Sequence, residues 1–218
     1  TGRIEVPQLS LQTEALRLSG SFSTNDQNAP QLAELQILLG RDAEAPQLPV
    51  ALPFADAGTT VDSGRLDLSY DAAEGQGWTL RGRVGQLDRG DMTIGQVVLD
   101  GGGEVVLDDG ALSEVTGTLD FGTRAMQFAD PGMAQAIGTS VEGSAAFNFT
   151  PGNVLDIFDV RVQGADYGLT GDFLVAGLSS GITLSVAANA QHRDLSRLST
   201  LADRDLTGVA EAELSGYY

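Results

Sequence analysis

The sequence predicts a mainly β protein, an elongated, curved antiparallel sheet of taco-like or tubular form with an apolar interior and one or two short helices. Three observations lead there. Within residues 141–190, four short segments are apolar at every second position: Val141/Ala145/Phe147/Phe149, Phe158/Val160/Val162, Tyr167/Leu169/Phe173/Val175 and Ile182/Leu184/Val186/Ala188. That period puts one side of each strand in an interior and the other in water. The breaks between them are Pro151-Gly152-Asn153, Gly164-Ala165-Asp166 and Gly177-Leu178-Ser179-Ser180-Gly181, residue types that tolerate the dihedrals of tight connections, so the strands form a meander. The third observation is a recurrent apolar residue followed two positions later by Gly, at Leu18/Gly20, Leu80/Gly82, Val115/Gly117, Val141/Gly143, Val162/Gly164, Leu169/Gly171, Leu206/Gly208 and Leu214/Gly216. At that spacing the Gly shares the apolar face, leaves a gap in it and lets the sheet bend. The same spacing also fits strand-end turns in any Gly-rich β protein.

Taken in order, Ile4/Val6, Leu9/Leu11 and Leu16/Leu18/Phe22 read as strands, followed by a polar loop over 23–28. Residues 31–39 carry both periods: Leu32, Leu35 and Leu38 are spaced as on a helix, whereas Ala33/Leu35/Ile37/Leu39 alternate, and the strand is preferred. Pro46, Pro49 and Pro53 then mark an extended piece that belongs at an edge or in a linker. Leu66/Leu68/Tyr70 and Trp78/Leu80/Val84 make a hairpin across 71–77. Val97/Leu99 and Val105/Leu107 flank Gly101-Gly102-Gly103, and Val115/Leu119/Phe121 and Met126/Phe128 follow. Helical turns are expected over 131–137, with Asp130 as cap and Pro131 at the first position, and over 194–202, with Asp194 as cap and Leu195, Leu198 and Leu201 on one stripe.

The 218 residues include 42% hydrophobic side chains and 28 Gly, an ordered composition. Net charge is −18, and all twelve basic residues are Arg. Such a surface repels phosphate backbones, so nucleic acid is not an expected partner. Without Cys there are no disulfides and no thiolate metal sites, and no apolar run approaches the ~20 residues that span a bilayer. The chain opens on Thr1 and is expected to be a segment of a longer protein, with an N-terminal β segment and Pro-rich edge over 1–60 and a curved sheet module over 61–218.

No motif carries a catalytic constellation. Gly177-Leu178-Ser179-Ser180-Gly181 matches the nucleophile elbow of α/β-hydrolases, but that motif requires a following helix, whereas Ile182/Leu184/Val186 follow as a strand. His192 is the single His, read as exposed or capping. Asp108-Asp109-Gly110 lacks the spaced ligands of an EF-hand and reads as a turn, as does Arg89-Gly90-Asp91. Asp156, Asp159, Asp166 and Asp172 fall on outward or turn positions, unlike a glycosidase pair. No cofactor is expected.

A sheet apolar on one face must cover that face, either by closing over a core of its own side chains or by leaving a groove. The groove candidates are Phe147, Phe149, Phe158, Val160, Val162, Leu169, Phe173, Val175, Ile182, Leu184 and Val186. With few polar groups among them, such a groove suits acyl chains.

The runs 129–138 (ADPGMAQAIG), 164–171 (GADYGLTG) and 194–198 (DLSRL), continuing to Asp205-Leu206-Thr207-Gly208, resemble the TamB family. These are the inner-membrane subunits of the translocation and assembly module, within the AsmA-like group of large periplasmic proteins. The resemblance rests on the order of strand and helix motifs and is best over 61–218. It implies a tube- or taco-shaped sheet with an apolar interior, in a protein anchored in the inner membrane of a Gram-negative bacterium and reaching across the periplasm. It further implies phospholipid transport between the membranes or support of outer-membrane protein assembly, with phospholipid acyl chains and the Omp85-type protein TamA as partners. Contact with TamA is expected through other segments of the parent protein. The family supplies no catalytic residues. The competing expectation is a rigid β scaffold that binds client strands at its open edges by β-augmentation.

Overall fold

The structure is a computed structural model that describes residues 2–52, 58–177 and 181–217. Its strands are β1 (Glu5–Gln12), β2 (Leu16–Thr24), β3 (Pro30–Gly40), β4 (Val50–Ala51), β5 (Thr60–Val61), β6 (Ser63–Asp71), β7 (Gly77–Asp88), β8 (Met92–Asp108), β9 (Ala111–Phe128), β10 (Glu142–Thr150), β11 (Val154–Gln163), β12 (Tyr167–Ala176), β13 (Thr183–His192) and β14 (Ala210–Tyr217). All belong to one unclosed antiparallel sheet. Twelve lie side by side in chain order, while β4 and β5 form a small side ladder against β7. The mainly β, curved antiparallel architecture expected from the alternation is therefore the one observed.

Register decides what this sheet presents. One row of directly paired residues runs Val6, Phe22, Ala33, Tyr70, Trp78, Gly103, Gly117, Phe147, Ile157, Phe173, Val186, Gly216, from β1 to β14. Paired residues share a face, so every inward position of this row is apolar or Gly. Outward rows of the same strands carry Arg65, Asp67, Arg81, Asp100 and Asp120. A single layer thus holds a continuous apolar face and a charged one.

The sheet curls toward its apolar face. Tyr70, Trp78 and Val105 are buried together, and Ala33 of β3 and Leu112 of β9, four strands further along the sheet, pack against the same cluster. The Asn25 side-chain amide donates to the Gly110 carbonyl oxygen at 2.6 Å and that of Gln27 to Asp109 at 2.7 Å, joining the β2–β3 loop to the β8–β9 turn. Six of the eight expected Gly gaps (20, 82, 117, 143, 171 and 216) do lie in the apolar face, whereas Gly164 and Gly208 sit outside strands.

Two local expectations are corrected. Gly101-Gly102-Gly103 does not separate two strands, because β8 continues through it: Gly101 and Gly103 face inward, where a Cβ would meet the Leu119 side chain at the first and the Thr116–Gly117 backbone at the second. Likewise β9 runs unbroken from Ala111 to Phe128. The ambiguous stretch over 31–39 is a strand, since its alternating set fills the apolar face between β2 and β6. The expected turn at Asp108-Asp109-Gly110 is present, with Asp109 and Gly110 both at positive φ (47° and 84°), the pair of left-handed residues a tight hairpin needs.

Both helical turns form where caps were expected. In α1 (Pro131–Ile137), Asp130 accepts a hydrogen bond from the Met133 N–H at 2.7 Å and Pro131 opens the first turn. After Asp194, whose carboxylate accepts from the Ser196 N–H at 3.0 Å, a 3₁₀ turn (Leu195–Leu198) leads into α2 (Ser199–Ala202). Neither element is long enough to persist alone, and the two pack on each other.

Candidate functional site

The apolar face is filled at one end and open at the other. Around Trp78 the indole occupies the space above Gly101 and Gly117, with the Phe147 ring 5.9 Å away, and the interior there is solid. Toward β14 the filling stops. Phe121, Leu184 and Leu214 lie on the inward rows yet are 36%, 36% and 64% exposed. The face thus has a closed core in its middle strands and a groove over β9 to β14.

The register places nine of the eleven groove candidates on this face: Phe147 and Phe149 on β10, Val160 and Val162 on β11, Leu169, Phe173 and Val175 on β12, and Leu184 and Val186 on β13. Phe158 and Ile182 are not among them. Phe158 pairs with Ala146 on the outward side, since the ladder shifts between Ile157 and Val160 and Asp159 takes a left-handed conformation (φ 53°). The Asp159 N–H is satisfied there by the Asp172 carboxylate at 3.0 Å. This β-bulge changes the phase of the alternation, so Ile157, not Phe158, points inward. Ile182 precedes β13 and is 67% exposed. Inward residues absent from the groove candidates include Ile157, Phe121 and Leu214. A sequence signal for the first exists: the runs Leu155/Ile157 and Val160/Val162 are out of phase by one residue.

The helical turns roof one end of the groove. Arg197 fastens them, donating from Nη1 to Asp166 Oδ2 at 2.6 Å and from Nε to the Gln135 carbonyl oxygen at 2.8 Å. Thr200 adds a hydroxyl hydrogen bond to Gln135 Oε1 at 2.7 Å. Beneath this roof lies a cavity of about 500 Å³, bounded by Ala136, Ile137 and Leu198 above and by Val162, Leu169 and Ala212 on the sheet. A second cavity of about 620 Å³, with Met92, Phe121, Met126 and Met133 in its wall, shares Ile137 and Tyr167 with the first.

Tyr167 and His192 face each other across β12 and β13, rings stacked 6.1 Å apart at 25°. Burial pushes the Tyr167 hydroxyl above its ordinary pKa. The Asp194 N–H donates to His192 Nδ1 at 3.4 Å, whereas His192 Nε2 is buried without a hydrogen-bond partner. His192 is half-buried and borders the cavity beneath the roof.

Among the described residues the remaining motifs do not converge. Ser179 lies outside the described residues, and the stretches flanking it are the strands β12 and β13. Asp156 and Asp172 sit on outward rows, and Asp166 is engaged by Arg197. Among the described residues no group of three or more His, Asp or Glu is placed to hold a metal ion. No helix of the described chain is long and apolar enough to cross a membrane. Asn148-Phe149-Thr150 formally spells a glycosylation sequon, but Asn148 donates to Glu114 from within β10. Comparison with protein-family models, with curated proteins and with solved structures finds no match.

Proposed function

We propose that this chain is a non-enzymatic lipid-handling segment, in which the apolar face of the curved sheet replaces water around acyl chains while the acidic face stays in solvent. The carrying observation is the unbroken set of apolar and Gly rows across twelve strands, left uncovered over β9 to β14. Each CH₂ removed from water contributes about 0.8 kcal/mol, so a groove of this kind favours tails with little selection among heads. Together with the TamB-like motifs, the reading is of a periplasmic stretch of a protein anchored in the inner membrane, serving phospholipid transport to the outer membrane or outer-membrane protein assembly. Any engagement of TamA belongs to other parts of such a protein.

The test is native mass spectrometry and lipid extraction of the chain purified from the periplasm of a Gram-negative host. Bound phospholipid that is lost when Phe173 and Leu184 are changed to Asp, in a variant with unchanged circular dichroism, is the expected result. A lipid-free wild-type chain overturns the reading.

A second reading is favoured by the edges. Every described side chain of β14 is exposed, and its outer backbone edge and that of β1 have no neighbour within the sheet. Such edges template pairing with an added strand. A chain that captures client β-strands, and loses them when Ala212 becomes Pro, would act as a scaffold.

A further inference from the structure

We propose that the free edge of β14 docks a β-strand of another protein that alternates basic and apolar residues, its basic side chains facing Glu211 and Glu213 and its apolar ones extending the inward face beside Ala212 and Leu214. This rests on the strand-pairing reading above and names the partner's chemistry. Alternate residues of an antiparallel strand send their N–H and C=O to opposite sides. The Arg193 N–H donates to the Asp166 carbonyl oxygen at 2.7 Å, one step beyond the paired Tyr167 and His192. His192, Ala190 and Ala188 therefore turn their backbone groups to β14, where they meet Ala210, Ala212 and Leu214. The N–H and C=O groups left on the free edge are those of Glu211, Glu213 and Ser215.

The two ends of the sheet differ in how they treat such an edge. In β1, Pro7 has no N–H to offer and the register shifts between Val6 and Leu9, a bulge that spoils a template. β14 carries no Pro and keeps one unbroken register with β13.

Charge then selects the strand. On the middle strands outward cations stand beside carboxylates, Arg65 at 2.5 Å from Asp67 and Arg81 at 3.5 Å from Asp100. Toward β14 the cations run out. Glu213 continues a row through Asn189 and Thr170 to Arg161, which lies 3.6 Å from Asp159, and Glu211 continues one through Gln191 and Gly168 to Gln163. Among the described residues neither Glu211 nor Glu213 has a hydrogen-bond or ion-pair partner. Opposite charges placed across a ladder stabilise it and like charges destabilise it, so Arg or Lys belongs there. A second copy of the chain brings none: its β14 adds two more Glu to the same face, and its β1 offers Glu5, Ser10 and Gln12. On the inward side Ala210, Ala212 and Gly216 are small and Leu214 is exposed. Larger apolar residues of an added strand cover Leu214 and wall the cavity that Ala210 and Ala212 border.

The full chain is titrated with the synthetic peptide Thr-Val-Arg-Val-Arg-Val-Thr, with its counterpart carrying Glu for both Arg, and with a rearranged peptide, Arg-Arg-Thr-Val-Val-Val-Thr, that lacks the alternation. Calorimetry gives affinity, and amide hydrogen exchange followed by NMR locates binding. The basic alternating peptide is expected to bind roughly tenfold more tightly than the acidic one at low salt, with the difference shrinking at high salt, and to slow exchange at the amides of Glu211, Glu213 and Ser215. Changing Glu211→Lys and Glu213→Lys together is expected to invert the preference. Glu213→Pro, which removes a donor from the free edge only, is expected to abolish binding with unchanged circular dichroism. Equal binding of basic and acidic peptides with slowed β14 amides overturns the partner's chemistry and leaves the strand-pairing reading intact. Equal binding of the rearranged peptide with unmoved amides shows charge attraction without an added strand and overturns the docking site. A wild-type dimer that Glu213→Pro dissolves makes a second copy the occupant and overturns the assignment to another protein. If no peptide binds, the docking site and the strand-pairing reading fall together, and the lipid-handling reading is untouched.

Discussion

Trp78 of β7 reaches across β8 to lie on Gly117 of β9, and its Nε1–H donates to the neighbouring Thr116 carbonyl oxygen at 2.9 Å. The indole needs no Cβ beneath it at Gly117, while Gly101 and Gly103 make room for the Leu119 side chain and for the Thr116–Gly117 backbone of β9. The consequence is a fixed bend and a filled interior at these strands. On the proposed lipid-handling reading, acyl chains are confined to the groove beyond, over β9 to β14.

Gly117→Ala tests this fit. The added Cβ would lie 2.8 Å from the Gly102 carbonyl oxygen and 3.2 Å from Phe147 Cε1, in addition to meeting the indole. Overpacking of this sort costs about 1–3 kcal/mol. In a Trp78→Phe background, which removes the indole's second ring, the same substitution is expected to cost less. A double-mutant cycle by urea denaturation measures the difference, and additive effects would show that the two residues do not couple.

The bulge at Phe158-Asp159 makes a prediction that simple alternation reverses. Ile157→Ser removes an inward side chain from the row between Phe147 and Phe173 and is expected to destabilise by about 1–3 kcal/mol, whereas Phe158→Ser, on the outward face, is expected to change stability by less than about 1 kcal/mol. Acyl-chain binding should fall with the first variant only. Thermal melts and ligand titration of both variants decide which side chain faces the groove.

This contrast also shows how far the sequence could be read. Alternation along β10, β12 and β13 is regular, so burying one face there has a single solution, and the seven groove residues on these strands were legible. The bulge was hidden because Phe158, Val160 and Val162 also alternate, and only the out-of-phase pair Leu155/Ile157 betrays the extra residue. At Gly101-Gly102-Gly103 the local chemistry signals a turn, while what the glycines make room for lies across the ladder in β9, at Leu119 and the Thr116–Gly117 backbone. The His192 position could not be read at all, since it depends on the roof that α1 and α2 place over β12 and β13.

Acid sensitivity is expected at Asp67. The hydrogen bond from Arg65, with Nε 2.5 Å from Oδ2, is the main cause holding its carboxyl below the ordinary 3.8, and Gln36 adds a second donor. A depressed folded-state pKa means that this contribution is present above about pH 4 and is lost as the pH falls through the lower folded value. The pair is partly exposed, so the effect is small and weakened by salt. Asp67→Asn should flatten the stability profile below pH 4 and leave its shape at pH 6 to 8 unchanged. Urea midpoints between pH 2.5 and 8 at low ionic strength provide the measurement.

Gly132 lies where α1 meets α2: a Cβ there would stand 3.0 Å from both the backbone N and the Cα of Leu201. Backbone atoms cannot yield as a side chain end does, so Gly132→Val must push the two helical turns apart. What holds them otherwise is the Arg197 and Thr200 hydrogen-bond set on Gln135 and Asp166, all at the rim, so the roof is expected to loosen while the sheet keeps its ladders. Hydrogen exchange should then quicken over 131–137 and 195–202 with little change in β7 to β9, where Tyr70, Trp78 and Val105 form the core. A global loss of protection would show that the roof is an integral part of the core. Protection unchanged in both regions would show that the contact at Gly132 is not what seats α1 over the groove.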